Sequence, residues 1–134
     1  MTSGPEEPAW VPRPAVEAFH ADLIREHGGA PGLRDEALLE SALARPRQLW
    51  HYGSEPDLAR LAATCAFGLV RDHPVHDGNK RTGFVVLNVF LLLNGYEIEA
   101  PEPAVVDAMT RLAAGDLDEE GLAEWIRTVM VGAP

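Results

Sequence analysis

Near the middle of the chain a histidine leads into a proline, then an aspartate-glycine pair, then two cations: His73-Pro74-Val75-His76-Asp77-Gly78-Asn79-Lys80-Arg81-Thr82. Each residue type has a use in phosphate chemistry. An imidazole near neutrality suits removal of a proton from an incoming hydroxyl, which makes His73 a candidate general base. Asp77 supplies a hard carboxylate oxygen of the kind Mg²⁺ takes alongside nucleotide phosphates. The first amides of a helix lack internal partners and lie at the positive end of its dipole, so the peptide groups of Gly78 to Arg81 are placed to hold an anion. Gly78 permits close backbone approach, Lys80 adds a point charge and Arg81 a planar fork. Taken alone, Asp77-Gly78-Asn79-Lys80 is also ordinary turn and helix-start chemistry.

The elements that would position these residues read as helices. One is predicted from about Pro14 to His27, with Val16, Phe19, Leu23 and Ile24 on one face and Gly28-Gly29 ending it. A loop over Ala30-Pro31-Gly32-Leu33-Arg34 follows. Asp35 is the expected N-cap of a short helix through Leu38, Leu39 and Leu43 that ends at Pro46, with a linker from Arg47 to Pro56 whose Trp50 and Tyr52 pack on the domain. A third helix from about Asp57 carries Leu58, Leu61, Ala62, Cys65 and Leu69 on one stripe and stops at His73, because Pro74 forbids its continuation. A fourth, about Asn79 to Asn94, is apolar on nearly every side and reads as the central helix, closed by Gly95. Tyr96 to Glu99 is a short extended piece, and Pro103–Ala114 and Asp118–Met130 read as two amphipathic helices.

Composition limits the function classes. A chain of 134 residues with 46% hydrophobic content suits one domain with a real core. With 21 acids against 11 bases, the net charge of −10 disfavours direct nucleic-acid binding, which needs cations to neutralise phosphates. Any phosphate chemistry must therefore be local. Of the 11 bases ten are arginine, and the one lysine is Lys80. The apolar run Phe84 to Leu93 is broken by Asn88 and too short to span a membrane. The N-terminus lacks the basic and apolar regions of a secretory signal, and the single Cys65 cannot form an internal disulfide, so a cytoplasmic location is expected.

The whole ten-residue segment resembles the Fic motif, His-Pro-Phe-x-Asp-Gly-Asn followed by Gly or Lys and then Arg. Gly28-Gly29-Ala30-Pro31-Gly32, Leu38-Leu39-Glu40-Ser41-Ala42-Leu43-Ala44-Arg45-Pro46 and Leu93-Asn94-Gly95-Tyr96 are similar to stretches of death-on-curing (Doc) type members. The sequence thus resembles the Fic/Doc (Fido) family over residues 14–130, with 1–13 a flexible N-terminal segment and 131–134 a short tail. The resemblance implies an all-α (mainly α) Fic-fold helical bundle with a short extended flap. It also implies roles: His73 as general base, Asp77 as the Mg²⁺ carboxylate, and Gly78, Asn79, Lys80 and Arg81 as an anion hole for ATP, the co-substrate. The loop Gly28 to Arg34, with Gly29, Ala30, Pro31, Gly32 and Leu33 at its centre, matches the family's flap, which docks a target segment by strand-like pairing.

Departures from the motif carry information. Val75 replaces the Phe that anchors the loop in the core. Lys80 stands where adenylylating members have Gly, and Phe84 where they have a second Arg. Both favour the Doc branch, which the resemblance associates with γ-phosphoryl transfer to a target of the translation machinery, elongation factor Tu, and with arrested translation. Family inhibitory helices carry Ser/Thr-x-x-x-Glu. Ser3 to Glu7 has that spacing, but Pro5 and Pro8 argue against a helix, so a separate small antitoxin that folds into the active-site groove is expected. Two other readings stay open, adenylyl transfer and an inactive nucleotide- or partner-binding module. His73, His76 and Asp77 as a transition-metal set is disfavoured, because Pro74 breaks the helix between the imidazoles. His76 reads as solvent-facing, and His20, His27 and His51 as core or surface residues.

Overall fold

Small side chains decide which helix lies at the centre. In the computed structural model, which describes residues 6–134, the helix α3 (Leu58–Asp72) buries ten of its 15 residues, many of them alanine, whereas α4 (Asn79–Leu93) buries seven and leaves Leu92 and Leu93 about half exposed. The central element is thus α3 rather than α4, because a helix rich in alanine and glycine lets neighbours approach on several sides while α4 ends in leucines at the surface. Asp57 caps α3 by accepting from the Arg60 N–H at 2.9 Å. Around α3 pack α2 (Glu36–Tyr52), α4 and α6 (Glu119–Val129), with α1 (Arg13–His27) and α5 (Glu102–Ala114) completing a mainly α-helical bundle.

Two close approaches fix this packing. A Cβ on Gly68 of α3 would meet the Ala42 Cβ of α2 at 2.8 Å, and one on Gly83 of α4 would meet the Val70 Cγ2 of α3 at 2.5 Å. The side of α3 away from α4 is tied by charge. Glu119, in the first turn of α6 and mostly buried, accepts from Arg45 at 2.6 Å, from Arg60 at 2.9 Å and from the Thr64 hydroxyl at 2.9 Å, joining α2, α3 and α6. The same contact places a carboxylate at the positive end of α6.

Four expectations are corrected. Pro46 does not end α2: the helix runs on to Tyr52 with Pro46 inside it and buried. The proline gives up one backbone bond, and the extra turns place Leu49 and Trp50 against the core, which compensates. Tyr52 does not pack and is 88% exposed. Residues 131–134 are not merely a tail, since β2 (Met130–Gly132) pairs antiparallel with β1 (Tyr96–Ile98), Tyr96 opposite Gly132 and Ile98 opposite Met130. Nor do residues 6–12 stand apart: Trp10 stacks on Phe90 with ring centroids 5.6 Å apart, and the Ala9 N–H donates to the Asn94 side chain at 2.9 Å. Ser3 and Pro5, considered above for an inhibitory helix, lie outside the described residues.

No helix among the described residues is long and apolar enough to cross a membrane. Cys65 is buried in α3, and burial pushes its thiol up to about 12. Thiol reagents should therefore leave the native protein unmodified and label it only on unfolding, as the protein's mass before and after denaturant would report.

Gly83→Ala should destabilise by about 1–3 kcal/mol, the usual cost of overpacking. Because the clash is with one methyl of Val70, Gly83→Ala combined with Val70→Ala should cost less than the sum of the two single changes. Chemical denaturation of the four proteins in this cycle measures that coupling, and strict additivity would contradict the close α3–α4 approach.

Candidate active site

Between α3 and α4 the chain must turn sharply, and proline at 74 dictates how. His73 takes the left-handed conformation (φ 52°, ψ 55°) as the last residue before Pro74, and Gly78 takes it again (φ 83°) as the N-cap of α4. The stretch between them holds Val75 inward, 5% exposed, and His73, His76 and Asp77 outward. Val75 thus fills the place of the motif's Phe with a smaller side chain that is still anchored.

Asn79 does most of the anchoring. Its side-chain oxygen accepts from the Val75 N–H at 3.2 Å, and its side-chain N–H donates to the Val75 carbonyl at 3.0 Å, so the amide pairs with both peptide groups of one residue as a neighbouring strand would. The buried Asn79 side chain is thus committed to the loop, and its backbone N–H is the group left to take part in the expected anion hole. On the other side of Val75 the flap pairs as a bridge. Leu33 stands opposite Val75, the Arg34 and Asp35 N–H groups donate to the Pro74 carbonyl at 2.8 and 3.0 Å, and the His76 N–H donates to the Gly32 carbonyl at 3.3 Å. In that register the Leu33 peptide groups point away from the loop.

Two further residues hold the turn. The His20 ring, buried on α1, donates from Nε2 to the Asp77 carbonyl at 2.8 Å. The Arg34 guanidinium donates to the His73 carbonyl at 2.6 Å and to that of Asp72 at 2.7 Å. For His20 the sequence carried a signal, since it falls in the spacing of Val16 and Ile24 on the inward stripe of α1. No periodicity marks Arg34.

The predicted site residues come together in two groups. Gly78, Asn79, Lys80 and Arg81 form one end of a groove of about 760 Å³, whose walls include Leu23 of α1, Phe84 and Val85 of α4, and Val105 and Met109 of α5. His73 and Asp77 lie exposed on the loop beside it and do not line it. Lys80 and Arg81 form no salt bridge among the described residues. A second concavity of about 420 Å³ lies near Arg45 and Arg60, but Glu119 and Glu120 already neutralise its cations.

Of the flap residues, Gly29, Ala30, Pro31 and Gly32 are exposed and Leu33 is half-buried. Ala30 donates its N–H to one Asp77 carboxylate oxygen at 2.7 Å. Gly29 has both a positive φ of 114° and a close neighbour, the Asp77 Cβ, 3.0 Å from where its own Cβ would stand. The flap and the carboxylate therefore fit only with glycine there. Asp77 is a single exposed carboxylate beside the start of α4, a hard oxygen donor of the kind Mg²⁺ takes when phosphates supply the other ligands.

Asn79→Ala would leave the buried peptide groups of Val75 unpaired, at about 1–3 kcal/mol for each polar group so stranded. Thermal or chemical unfolding should show that loss, together with faster exchange of the Val75 N–H. An unchanged stability would contradict the structural weight given to the Asn79–Val75 pairing.

The Fic/DOC family model matches residues 10–91, which takes in α1, the flap, the motif loop and most of α4. "Protein kinase doc" of Escherichia phage P1 is 29% identical over 110 residues, covering 82% of this chain and 86% of its own length. "Toxin Doc" of Mycolicibacterium smegmatis is 37% identical over 100 residues, covering 72% of this chain and 76% of its own. The match spans more than half of the sequence and includes every element that shapes the loop between α3 and α4, and on that ground the chain belongs to the Fic/DOC family.

Proposed function

We propose that this protein is a toxin-like transferase that moves the γ-phosphoryl group of ATP to a hydroxyl side chain of a target protein. The observation that carries the reading is the charge pattern at the start of α4. Lys80 and Arg81 stand without carboxylate partners among the described residues, and one turn on Phe84 forms an apolar wall of the groove where an adenylylating site would want a second cation. ATP lying with its γ-phosphoryl toward His73 places the transferring group beside both cations, where charge develops as the bond breaks. The name "Protein kinase doc" given to one relative agrees with this direction of transfer.

In the proposed reaction the His73 imidazole accepts the proton of the target hydroxyl, the oxygen attacks the γ-phosphorus, and the bond to the β,γ-bridging oxygen breaks to release ADP. Gly78 to Arg81 hold the phosphates through backbone amides and side chains. Asp77 would hold Mg²⁺ together with the phosphates, and the ion would supply neutralisation of their negative charge. The outward peptide edge of Leu33 is the place for an extended target segment to pair, next to His73. A component of the translation machinery such as elongation factor Tu fits that requirement and a cytoplasmic setting. The groove walls of α1, α4 and α5 suit a separate small antitoxin, consistent with the "Toxin Doc" relative.

With cell extract, Mg²⁺ and ATP labelled at either the γ- or the α-phosphate, label should reach protein from the γ-position alone. His73→Ala should reduce transfer at least ~100-fold with the fold intact, since the ring is exposed and a general base contributes about 10²–10⁴. Lys80→Ala should abolish it. Transfer from the α-position would assign the protein to nucleotidyl transfer. No label from either, with soluble folded protein, would favour a binding module.

A further inference from the structure

Helix α3 ends in a way that leaves its last carbonyls without the usual partners. A left-handed residue at a helix end is normally followed by an N–H that bonds back into the last turn, but here the follower is Pro74, which has none. The carbonyls at the turn itself are held instead by Arg34. Its Nε donates to the His73 carbonyl at 2.6 Å, its Nη2 to the Asp72 carbonyl at 2.7 Å, and its own backbone N–H to the Pro74 carbonyl at 2.8 Å. One residue thus holds three consecutive carbonyls, with a cation at the negative end of the helix.

His73 needs this support more than its neighbours do. Its φ of 52° is unfavourable for a residue with a Cβ, its side chain is exposed, and no hydrogen bond among the described residues holds its imidazole. The ring is therefore placed only through its backbone, and Arg34 is the residue that holds the His73 carbonyl itself, while Asn79, the flap and His20 hold the residues that follow. The geometry points to Arg34 as a positioning residue for His73, one that also couples the flap to the base, because the same residue adjoins the Leu33 docking edge. The inference rests on the proposed role of His73.

The test compares Arg34→Ala, Arg34→Gln and Arg34→Lys with the wild-type chain. Arg34→Ala should lower kcat for transfer by ~10- to 100-fold, the scale of a misplaced catalytic group. KM for ATP should change by less than about 3-fold, since the phosphate site is untouched. Lysine should recover little, because a point charge cannot span two carbonyls as the guanidinium fork does. Free guanidinium ion at low millimolar concentration should restore part of kcat to Arg34→Ala and none to His73→Ala. Arg25→Ala, an arginine with a 72% exposed side chain on α1, should behave as wild type.

A second arm needs no activity. The Asp35 and His76 N–H groups, which bond across the flap at 3.0 and 3.3 Å, should exchange faster in Arg34→Ala than in wild type. If the wild-type chain transfers nothing, the function reading fails while this exchange comparison still judges Arg34. Should Arg34→Ala not fold, Arg34→Gln carries both comparisons. Wild-type kcat together with unchanged exchange would overturn the proposal, as would kcat loss with an equal rise in KM and no guanidinium rescue.

Discussion

The pairing of the Asn79 amide with both peptide groups of Val75 is the contact on which the rest of the site depends. A loop that offers His73, His76 and Asp77 to solvent has no core of its own, so its peptide groups must be fixed from the sides. Asn79 takes the outward groups of Val75 on one side. On the other, the flap pairs with Pro74 and His76, so that Val75 lies between two strand-like partners although the loop is not a strand. His20 and Arg34 then hold the flanking carbonyls of Asp77 and of Asp72 and His73. Residues from α1, the flap and α4 together fix a segment that contributes a single buried apolar side chain of its own besides Pro74.

This arrangement links the flap to the chemistry. Ala30 shares the Asp77 carboxylate, Gly29 fits against the Asp77 Cβ, and Arg34 reaches the His73 carbonyl. In the proposed function, a target segment seated on Leu33 presses on the same backbone that carries His73 and Asp77. Beneath the loop, Gly83 of α4 lies close against Val70 of α3 just beyond the motif, which packs the start of α4 tightly onto α3.

Much of this was legible in the sequence. The boundaries of α3 and α4 followed from Asp57, Pro74 and Gly95, and the grouping of Gly78, Lys80 and Arg81 at a helix start followed from the turn chemistry of Asp77-Gly78. What escaped was tertiary. Pro46 carries a local stop signal that the burial of Leu49 and Trp50 overrides. The centrality of α3 over α4 depends on alanines, whose importance lies in what they let approach and not in their own hydrophobicity. Spacing shows that Asn79 begins a helix but not that its side chain turns back to Val75. Arg34 bonds to carbonyls 38 and 39 residues away, which no local pattern announces.

Lys80 and Arg81, without carboxylate partners among the described residues, are proposed to serve a phosphoryl group that leaves ATP for a protein hydroxyl. The small-molecule product tests this most directly, because it requires no knowledge of which protein is modified. When the folded chain is incubated with Mg²⁺, ATP and protein extract, the account predicts ADP, formed only with acceptor present and lost in the His73 variant. Pyrophosphate in place of ADP would contradict it.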